Sequence, residues 1–367
     1  MPIFIRQTGY GSMSEKPMDI LNAVRALAQG KQPAADISDI LYEHGCFYLL
    51  SMLKAENRYT KAAQTQAVLN RISVRERYAV CRPLFQAFDD AGIPYAVVKG
   101  AVLSQAVYGD CGLRASGDID LLMDRRDIDE VEAVLAGNGF IQGRVTDEGV
   151  VPFTRKELLF QTALSHQTAP FIKRTTNPLC PYVNVDINLD ILWGESRVKG
   201  DMGLVLSATE PAEICGAPLR KLSCEMELIA LCLHHYKDAN SLFLLMQNGL
   251  RLSLFCDIYF YMKRCRPDLH VLGTLCRQLQ VTAYVYYCLY YANRVFDDDA
   301  LLSPYLSALE TERAIGLLDT YGLEEAERKK WDMDFEERLF HPDFAGYFRT
   351  CLTPSDINKI QANSRFM

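Results

Sequence analysis

The sequence predicts an α+β protein in which a small mixed β-sheet core is flanked by N-terminal and C-terminal helical regions. Two observations indicate this order. Apolar residues recur at helical spacing over residues 1–92 and again over 223–367, whereas residues 93–222 carry short apolar runs punctuated by glycine and proline. We therefore expect three regions with these bounds, with the sheet in the middle one.

Both terminal regions are predicted to consist of amphipathic helices. In the N-terminal region, the helical pattern covers residues 19–27, 37–52 and about 60–90. In the C-terminal region, it begins at Ser223 and recurs over residues 250–264, 269–279, 282–296 and 304–320. The tail from residue 321 is charged and aromatic, and we expect less regular structure there.

The middle region is predicted to mix strands with helices. In chain order, the predicted elements are a strand at Tyr95–Val98, a helix at Gly100–Tyr108, a strand at Asp118–Met123, a helix at Asp127–Gly137, strands at about 155–166 and 182–192, and a hairpin between Leu204 and Leu219. We expect the strands at 155–166 and 182–192 to be neighbours.

Composition places the chain among ordinary globular proteins. Dividing its 367 residues by about 150 per domain suggests two or three folding units. Hydrophobic residues make up 49%, and 39 Lys and Arg against 46 Asp and Glu give a net charge of −7. These proportions exclude a disordered or collagen-like chain, and the acidic balance argues against a dedicated binder of duplex DNA.

Cysteine usage and hydropathy indicate a cytoplasmic protein without a membrane partner. The twelve cysteines form no Cys-x-x-Cys pair, and several lie in apolar runs, as reduced buried thiols do. The first twelve residues lack the apolar stretch of a signal peptide. The longest apolar run, Val281–Ala292, is shorter than the roughly 18 residues that a membrane span requires.

Two carboxylates project from the second predicted strand. Because side chains alternate across a strand, Asp118 and Asp120 point to one face while Ile119 and Leu121 point into a core. Carboxylates this close repel one another unless cations lie between them. Mg²⁺ prefers one or two carboxylates together with phosphate oxygens. The pair therefore predicts a metal site for a phosphorylated substrate, and the alternative is two solvated acids on an exposed strand face.

A third carboxylate follows on a later strand. Residues 183–190 alternate strictly, which places Asp186 and Asn188 on one polar face. If this strand lies beside the earlier one, Asp186 joins Asp118 and Asp120, and the three acids can bind two metal ions about 3.5–4 Å apart for displacement at phosphorus. Asp186 can also accept a proton from an attacking hydroxyl. The alternative is a surface acid on an edge strand.

A glycine turn joins the first strand of the middle region to its helix. Gly100 permits a tight turn and close approach of a phosphate. The free N–H groups at the start of a helix favour an anion, and Lys99 and Arg114 supply positive charge for a triphosphate. The alternatives are a solvent-facing Lys99 and an Arg114 that pairs with Asp110 or with the C-terminus of a helix.

These residues together resemble the DNA polymerase beta-type nucleotidyltransferase superfamily. Within it, the chain looks like an uncharacterised bacterial nucleotidyltransferase family that carries a Lys-Gly turn. The shared motifs are Lys99–Gly100, Tyr108, Arg114, the run Asp118–Leu122 and a single Asp on a later strand. The resemblance covers roughly residues 40–270. It implies that Asp118, Asp120 and Asp186 bind the metals and that Gly100 holds the triphosphate.

The chain departs from the superfamily pattern at the glycine turn. Ala101 follows the glycine, where the superfamily usually has a Ser that contacts phosphate. That contact is missing here or is supplied by Lys99, Ser104 or Ser116. A second departure is Asn188, which stands where the narrower family has a His.

A later helix carries further polar residues that the resemblance assigns to the family. Its helical His corresponds to His234 or His235, and its Asp near an Arg-rich helix corresponds to Asp257, close to Arg251. His234 and Asp238 stand four residues apart and share a helix face. Together with the adjacent His235, these two residues could form a metal site. The alternative is a His that has a structural role or that positions the acceptor.

The sequence thus predicts a nucleotidyltransferase that uses two Mg²⁺ ions and takes an NTP, such as ATP, as substrate. It would move NMP to a hydroxyl or phosphate acceptor and release pyrophosphate, with Lys99, Gly100, Arg114 and Ser116 on the triphosphate. The acceptor is a small molecule, a protein or RNA. The alternative is a catalytically weakened nucleotide-binding or protein-interaction module of the same fold, which the missing Ser motivates.

Overall fold

The protein is an α+β molecule with a mixed sheet in the middle of the chain and helical regions toward both ends. The computed structural model describes residues 16–158, 167–194, 196 and 198–364. The chain divides into two compact units. Residues 64–230 form one, and residues 1–63 with 231–367 form the other. The boundaries at residues 92 and 222 stay a prediction.

The described helices and strands are numbered along the chain. The helices are α1 (Pro17–Ala28), α2 (Ser38–Glu43), α3 (Phe47–Met52), α4 (Arg58–Ala91), α5 (Gly100–Tyr108), α6 (Ile128–Gly137), α7 (Met202–Ser207), α8 (Cys224–Asn240), α9 (Leu242–Asn248), α10 (Leu252–Cys265), α11 (Leu269–Gln278), α12 (Thr282–Phe296), α13 (Asp299–Leu309), α14 (Glu312–Leu317), α15 (Phe335–Leu339), α16 (Phe344–Thr350) and α17 (Pro354–Ser364). The strands are β1 (Tyr95–Val98), β2 (Ile119–Met123), β3 (Ile141–Thr146), β4 (Gly149–Pro152), β5 (Phe171–Arg174), β6 (Tyr182–Asn188), β7 (Thr209–Ile214), β8 (Ala217–Leu222), β9 (Thr320–Tyr321) and β10 (Lys329–Lys330).

The unit of residues 64–230 is built on a mixed sheet. Its described strands number eight and follow the order β4-β3-β5-β6-β2-β1-β8-β7. The pairs β2–β6 and β1–β8 are parallel, and the other neighbouring pairs are antiparallel. The β2–β6 pair brings together two segments that are far apart in the sequence, and the polar faces of both strands meet there.

One face of this sheet is apolar and packs with α4. The helix contributes Tyr78, Leu84, Phe85 and Phe88 to the core cluster. The strands contribute Tyr95, Val97, Ile119, Leu121, Val183, Val185 and Ile187. Because strand side chains alternate, burial of these residues turns the aspartates of β2 and β6 to the opposite face.

The helical unit has its own core. Helix α12 contacts α1, α10, α13 and α14. Its tyrosines Tyr284, Tyr287 and Tyr291 are buried, so this tyrosine-rich segment is part of the packing. Among the described residues, no helix combines the length and the apolar character needed to cross a bilayer.

Several local predictions are wrong. Residues 155–158 are helical where a strand was expected, and residues 159–166 lie outside the described part of the chain. The antiparallel neighbour of β6 is β5, at Phe171–Arg174. The predicted hairpin begins later, because residues 202–207 form α7 before the β7–β8 hairpin.

The predicted helix over residues 37–52 is interrupted. It divides into α2 and α3, and Gly45 lies between them with a φ of +68°. That backbone angle cannot be part of a right-handed helix. The predictions of β1, α5, β2 and α6 are confirmed, and their observed bounds agree with the predicted ones to within a residue or two.

Candidate active site

The strands β1, β2 and β6 bring the three predicted acids together. Val98 of β1 is paired with Asp120 of β2, and Asp120 is paired with Asp186 of β6. Asp118 directly precedes β2 and shares the polar face of Asp120. The parallel register therefore places one acid of β6 level with the second acid of β2.

Burial and mutual repulsion raise the pKa of two of these acids. The pKa of Asp186 is raised to about 7, first by burial and then by the charges of Asp118 and Asp120. The pKa of Asp118 is also raised by burial and by Asp120, while Lys99 and Arg77 oppose the shift. This half-buried set of carboxylate oxygens suits a hard divalent cation, which would relieve the repulsion.

Lys99 is in direct contact with Asp120. Its Nζ lies 3.2 Å from Oδ1 of Asp120, and 22% of its side chain is exposed. The residue has a φ of 57° and a ψ of −146°, a conformation that is almost confined to glycine. The turn between β1 and α5 thus holds this ammonium group near the acids at a cost in backbone strain.

Gly100 begins α5 beside Ser116. Its φ is +44°, and a Cβ placed there would lie 3.1 Å from Ser116 Oγ. Ser116 Oγ donates a hydrogen bond to the backbone oxygen of Asp118 at 3.2 Å. A hydroxyl therefore stands next to the glycine turn even though Ala101 carries none.

Ser104 has a structural role. It is fully buried, and its Oγ donates to the backbone oxygen of Asp110 at 2.7 Å while accepting from the backbone N–H of Arg114 at 3.1 Å. It therefore fixes the loop between α5 and β2. Of the three candidates to replace the missing serine contact, Lys99 and Ser116 remain.

The same loop is tied to α4. Arg71 donates from Nε to both carboxylate oxygens of Asp110 at 2.9 and 3.0 Å, and Asn70 donates to the backbone oxygen of Gly112 at 3.1 Å. The hydrogen bonds from Arg71 hold the pKa of Asp110 below its usual value. Asp110 is thus engaged by Arg71, and the half-buried Arg114 lies on a loop that is anchored at both ends.

Asn188 of β6 contacts one of these acids. Its Nδ2 donates to Oδ1 of Asp120 at 3.1 Å, and its Oδ1 accepts from Nε2 of Gln167 at 2.7 Å. The amide is buried. Asn188 thus orients one site acid without any proton transfer of its own.

Asp190 accepts hydrogen bonds from backbone N–H groups. Its Oδ1 accepts from the N–H groups of Leu192 at 2.9 Å and Gly200 at 3.1 Å. These hydrogen bonds close the loop that follows β6, so we place Asp190 outside the site.

Arg77 is a site residue that the sequence patterns did not reveal. It is 3% exposed, and its Nε and Nη2 have no hydrogen-bond partner among the described residues. Its charge lowers the pKa of Asp118 against the effect of burial. The sequence feature that could have revealed it is an arginine among the apolar positions of α4, between Val74 and Tyr78.

Comparisons with known proteins identify the family. The sequence profile of a family described as "Uncharacterised nucleotidyltransferase" matches residues 48–297. Among solved structures, the chain is similar to an antigenic nucleotidyltransferase-like protein from Paracoccidioides brasiliensis, with 18% identity and a TM-score of 0.38 over 65% of this chain and 93% of that chain. No curated protein matches the chain significantly. Since the profile matches more than half of its length, the protein belongs to this uncharacterised nucleotidyltransferase family.

Proposed function

We propose that the protein is a Mg²⁺-dependent nucleotidyltransferase that moves NMP from an NTP to a hydroxyl or phosphate acceptor. The observation that carries this proposal is the pairing of Asp120 with Asp186 across β2 and β6, with Lys99 in contact with Asp120. The family match supports the general kind of reaction. We place this family within the DNA polymerase beta-type superfamily, in its bacterial Lys-Gly branch.

Asp118, Asp120 and Asp186 would hold two Mg²⁺ ions. When bound, the ions would neutralise the acids and stabilise negative charge on the transferring phosphoryl group. Lys99, Arg114, Ser116 and the N–H groups that begin α5 at Gly100 would bind the triphosphate oxygens.

Asp186 would also act as the general base of the transfer. The acceptor oxygen forms a bond to the α-phosphorus, the bond from that phosphorus to the α–β bridging oxygen breaks, and pyrophosphate leaves. The acceptor's proton would pass to Asp186, which burial and the neighbouring acids make more basic than a free carboxylate before the metal ions bind. A phosphate acceptor would arrive ionised and need no such transfer.

Transfer of label from α-³²P-NTP tests the proposal. The full chain is incubated with each of four NTPs, Mg²⁺ and a lysate, and labelled product and pyrophosphate are measured. We expect Asp118→Asn, Asp120→Asn and Asp186→Asn to lower transfer by at least about 100-fold, because each removes a charge at the reacting phosphate. Asp147→Asn changes an exposed acid and should leave transfer intact. Equal labelling by the wild type and the three site variants would overturn the proposal.

The acceptor class follows from the same assay. We propose a cytoplasmic acceptor that is a small molecule, a protein or RNA, and neither a membrane nor duplex DNA. Treating the labelled product with RNase or protease separates the macromolecular acceptors from a small one.

The second candidate is a nucleotide-binding or protein-interaction module of the same fold with little catalysis. Ala101 provides no hydroxyl at the glycine turn, which favours this alternative. Thermal shift with each NTP separates the two readings. A Mg²⁺-dependent rise in Tm that disappears in Asp118→Asn, without pyrophosphate release, would favour the binding module.

A further inference from the structure

Helix α8 carries a second group of metal-ligand side chains, in the helical unit. His234, His235 and Asp238 each offer one ligand atom, and these atoms lie within 4.8 Å of one another. Nε2 of His234 is 3.5 Å from Oδ2 of Asp238, one helical turn further along. The side chains of these two residues are 22% and 30% exposed, so an ion can reach them from solvent.

His235 adds a buried nitrogen that needs a partner. The residue is 2% exposed, and its Nε2 lies 3.2 Å from Oδ2 of the buried Asp257. Its Nδ1 has no hydrogen-bond partner among the described residues. If Nε2 carries the proton shared with Asp257, then Nδ1 presents a lone pair. A buried acceptor without a hydrogen bond is unfavourable, and a ligand on that nitrogen would remove this penalty.

We propose that His234, His235 and Asp238 bind a divalent transition-metal ion of the Zn²⁺ type. Two imidazoles and one carboxylate, with water in the fourth position, are a ligand set that Zn²⁺ takes and that Mg²⁺ does not favour. Asp257 is the outer partner that fixes the tautomer and orientation of His235, as a carboxylate behind a metal-bound imidazole does. This site is separate from the Asp118, Asp120 and Asp186 cluster in residues and in ligand chemistry, and it does not depend on the proposed transfer reaction.

Metal binding to the full chain tests the proposal directly. The protein is stripped with a chelator, and Zn²⁺ binding is measured by equilibrium dialysis, with Co²⁺ as a spectroscopic replacement. With excess Mg²⁺ present to occupy the carboxylate cluster, we expect one equivalent of Zn²⁺ per chain and the visible ligand-field bands of four-coordinate Co²⁺. His234→Gln and Asp238→Asn, which alter partly exposed ligands, should each weaken Zn²⁺ binding by at least about 10-fold, and Asp257→Asn by about 10- to 100-fold.

Two controls separate this site from others. His270→Gln changes an exposed histidine and should leave Zn²⁺ affinity unchanged. Asp118→Asn should also leave it unchanged, even if it abolishes nucleotide transfer, so failure of one proposal is distinguishable from failure of the other. The proposal is overturned if the wild type binds no Zn²⁺, or if folded His234→Gln and Asp238→Asn bind it as tightly as the wild type.

Discussion

At the scale of single residues, Arg77 is unusual because a charge occupies a buried position of α4. A buried guanidinium with unpaired N–H groups is unfavourable unless nearby anions compensate it. Asp118 provides such an anion, and the charge of Arg77 opposes the rise in its pKa that burial and Asp120 cause. We therefore propose that Arg77, together with Lys99, favours the ionised form of Asp118.

Substitution of Arg77 separates this electrostatic role from packing. Arg77→Met removes the charge and keeps an apolar side chain of similar length, so we expect Tm to stay or rise. The pKa of Asp118 should rise further, and Mg²⁺-dependent nucleotide binding should require a higher pH. Calorimetric titration of nucleotide binding across the neutral pH range measures this shift in pH dependence. Arg77→Lys keeps the charge, so its shift should be smaller than that of Arg77→Met. A pH profile that is identical in Arg77→Met and the wild type would contradict the assignment.

At the scale of elements, the turn between β1 and α5 depends on a glycine. Gly100→Ala introduces a side chain at a φ of +44° and a Cβ 3.1 Å from Ser116 Oγ. We expect the free energy of unfolding to fall by about 1–3 kcal/mol in urea denaturation. Gly117→Ala is the matched control, because nothing lies within 4 Å of its added Cβ, and its effect should stay within about 0.5 kcal/mol. Equal effects of the two substitutions would argue against a special turn.

Elements with a strong local pattern were predictable from the sequence. The alternation in β2 and β6 assigned Asp118, Asp120 and Asp186 to polar faces, but their meeting depended on which strands are neighbours. That is a long-range property, and the predicted neighbour at 155–166 was wrong. Strands β3 and β4 were missed because β3 is largely exposed and contains Gly143, so its burial does not alternate.

At the scale of the whole molecule, the raised pKa of Asp186 links stability to pH. The unfolded carboxyl ionises near 3.8, whereas the folded one holds its proton up to about 7. The native state therefore binds more protons between these values, and the free energy of unfolding falls as pH rises through that window. Asp118 acts in the same direction.

Denaturation at two pH values checks this linkage. Without added metal, the wild type should lose stability between about pH 5 and about pH 8, and Asp186→Asn should lose less, because the amide does not titrate. Each unit of pKa shift corresponds to about 1.4 kcal/mol. The comparison of the two proteins removes contributions from groups that they share. A loss of the same size in both would mean that Asp186 ionises normally in the folded protein.

The contact between Lys99 and Asp120 has a consequence for the order of events at the site. Before a cation arrives, the ammonium group shares Oδ1 of Asp120 with the amide of Asn188. A metal ion on that oxygen would repel Lys99 and release its Nζ toward incoming phosphate. Lys99 would then contact Asp120 before the metal binds and the phosphate after it binds. We therefore expect the nucleotide to bind most readily to the metal-loaded protein.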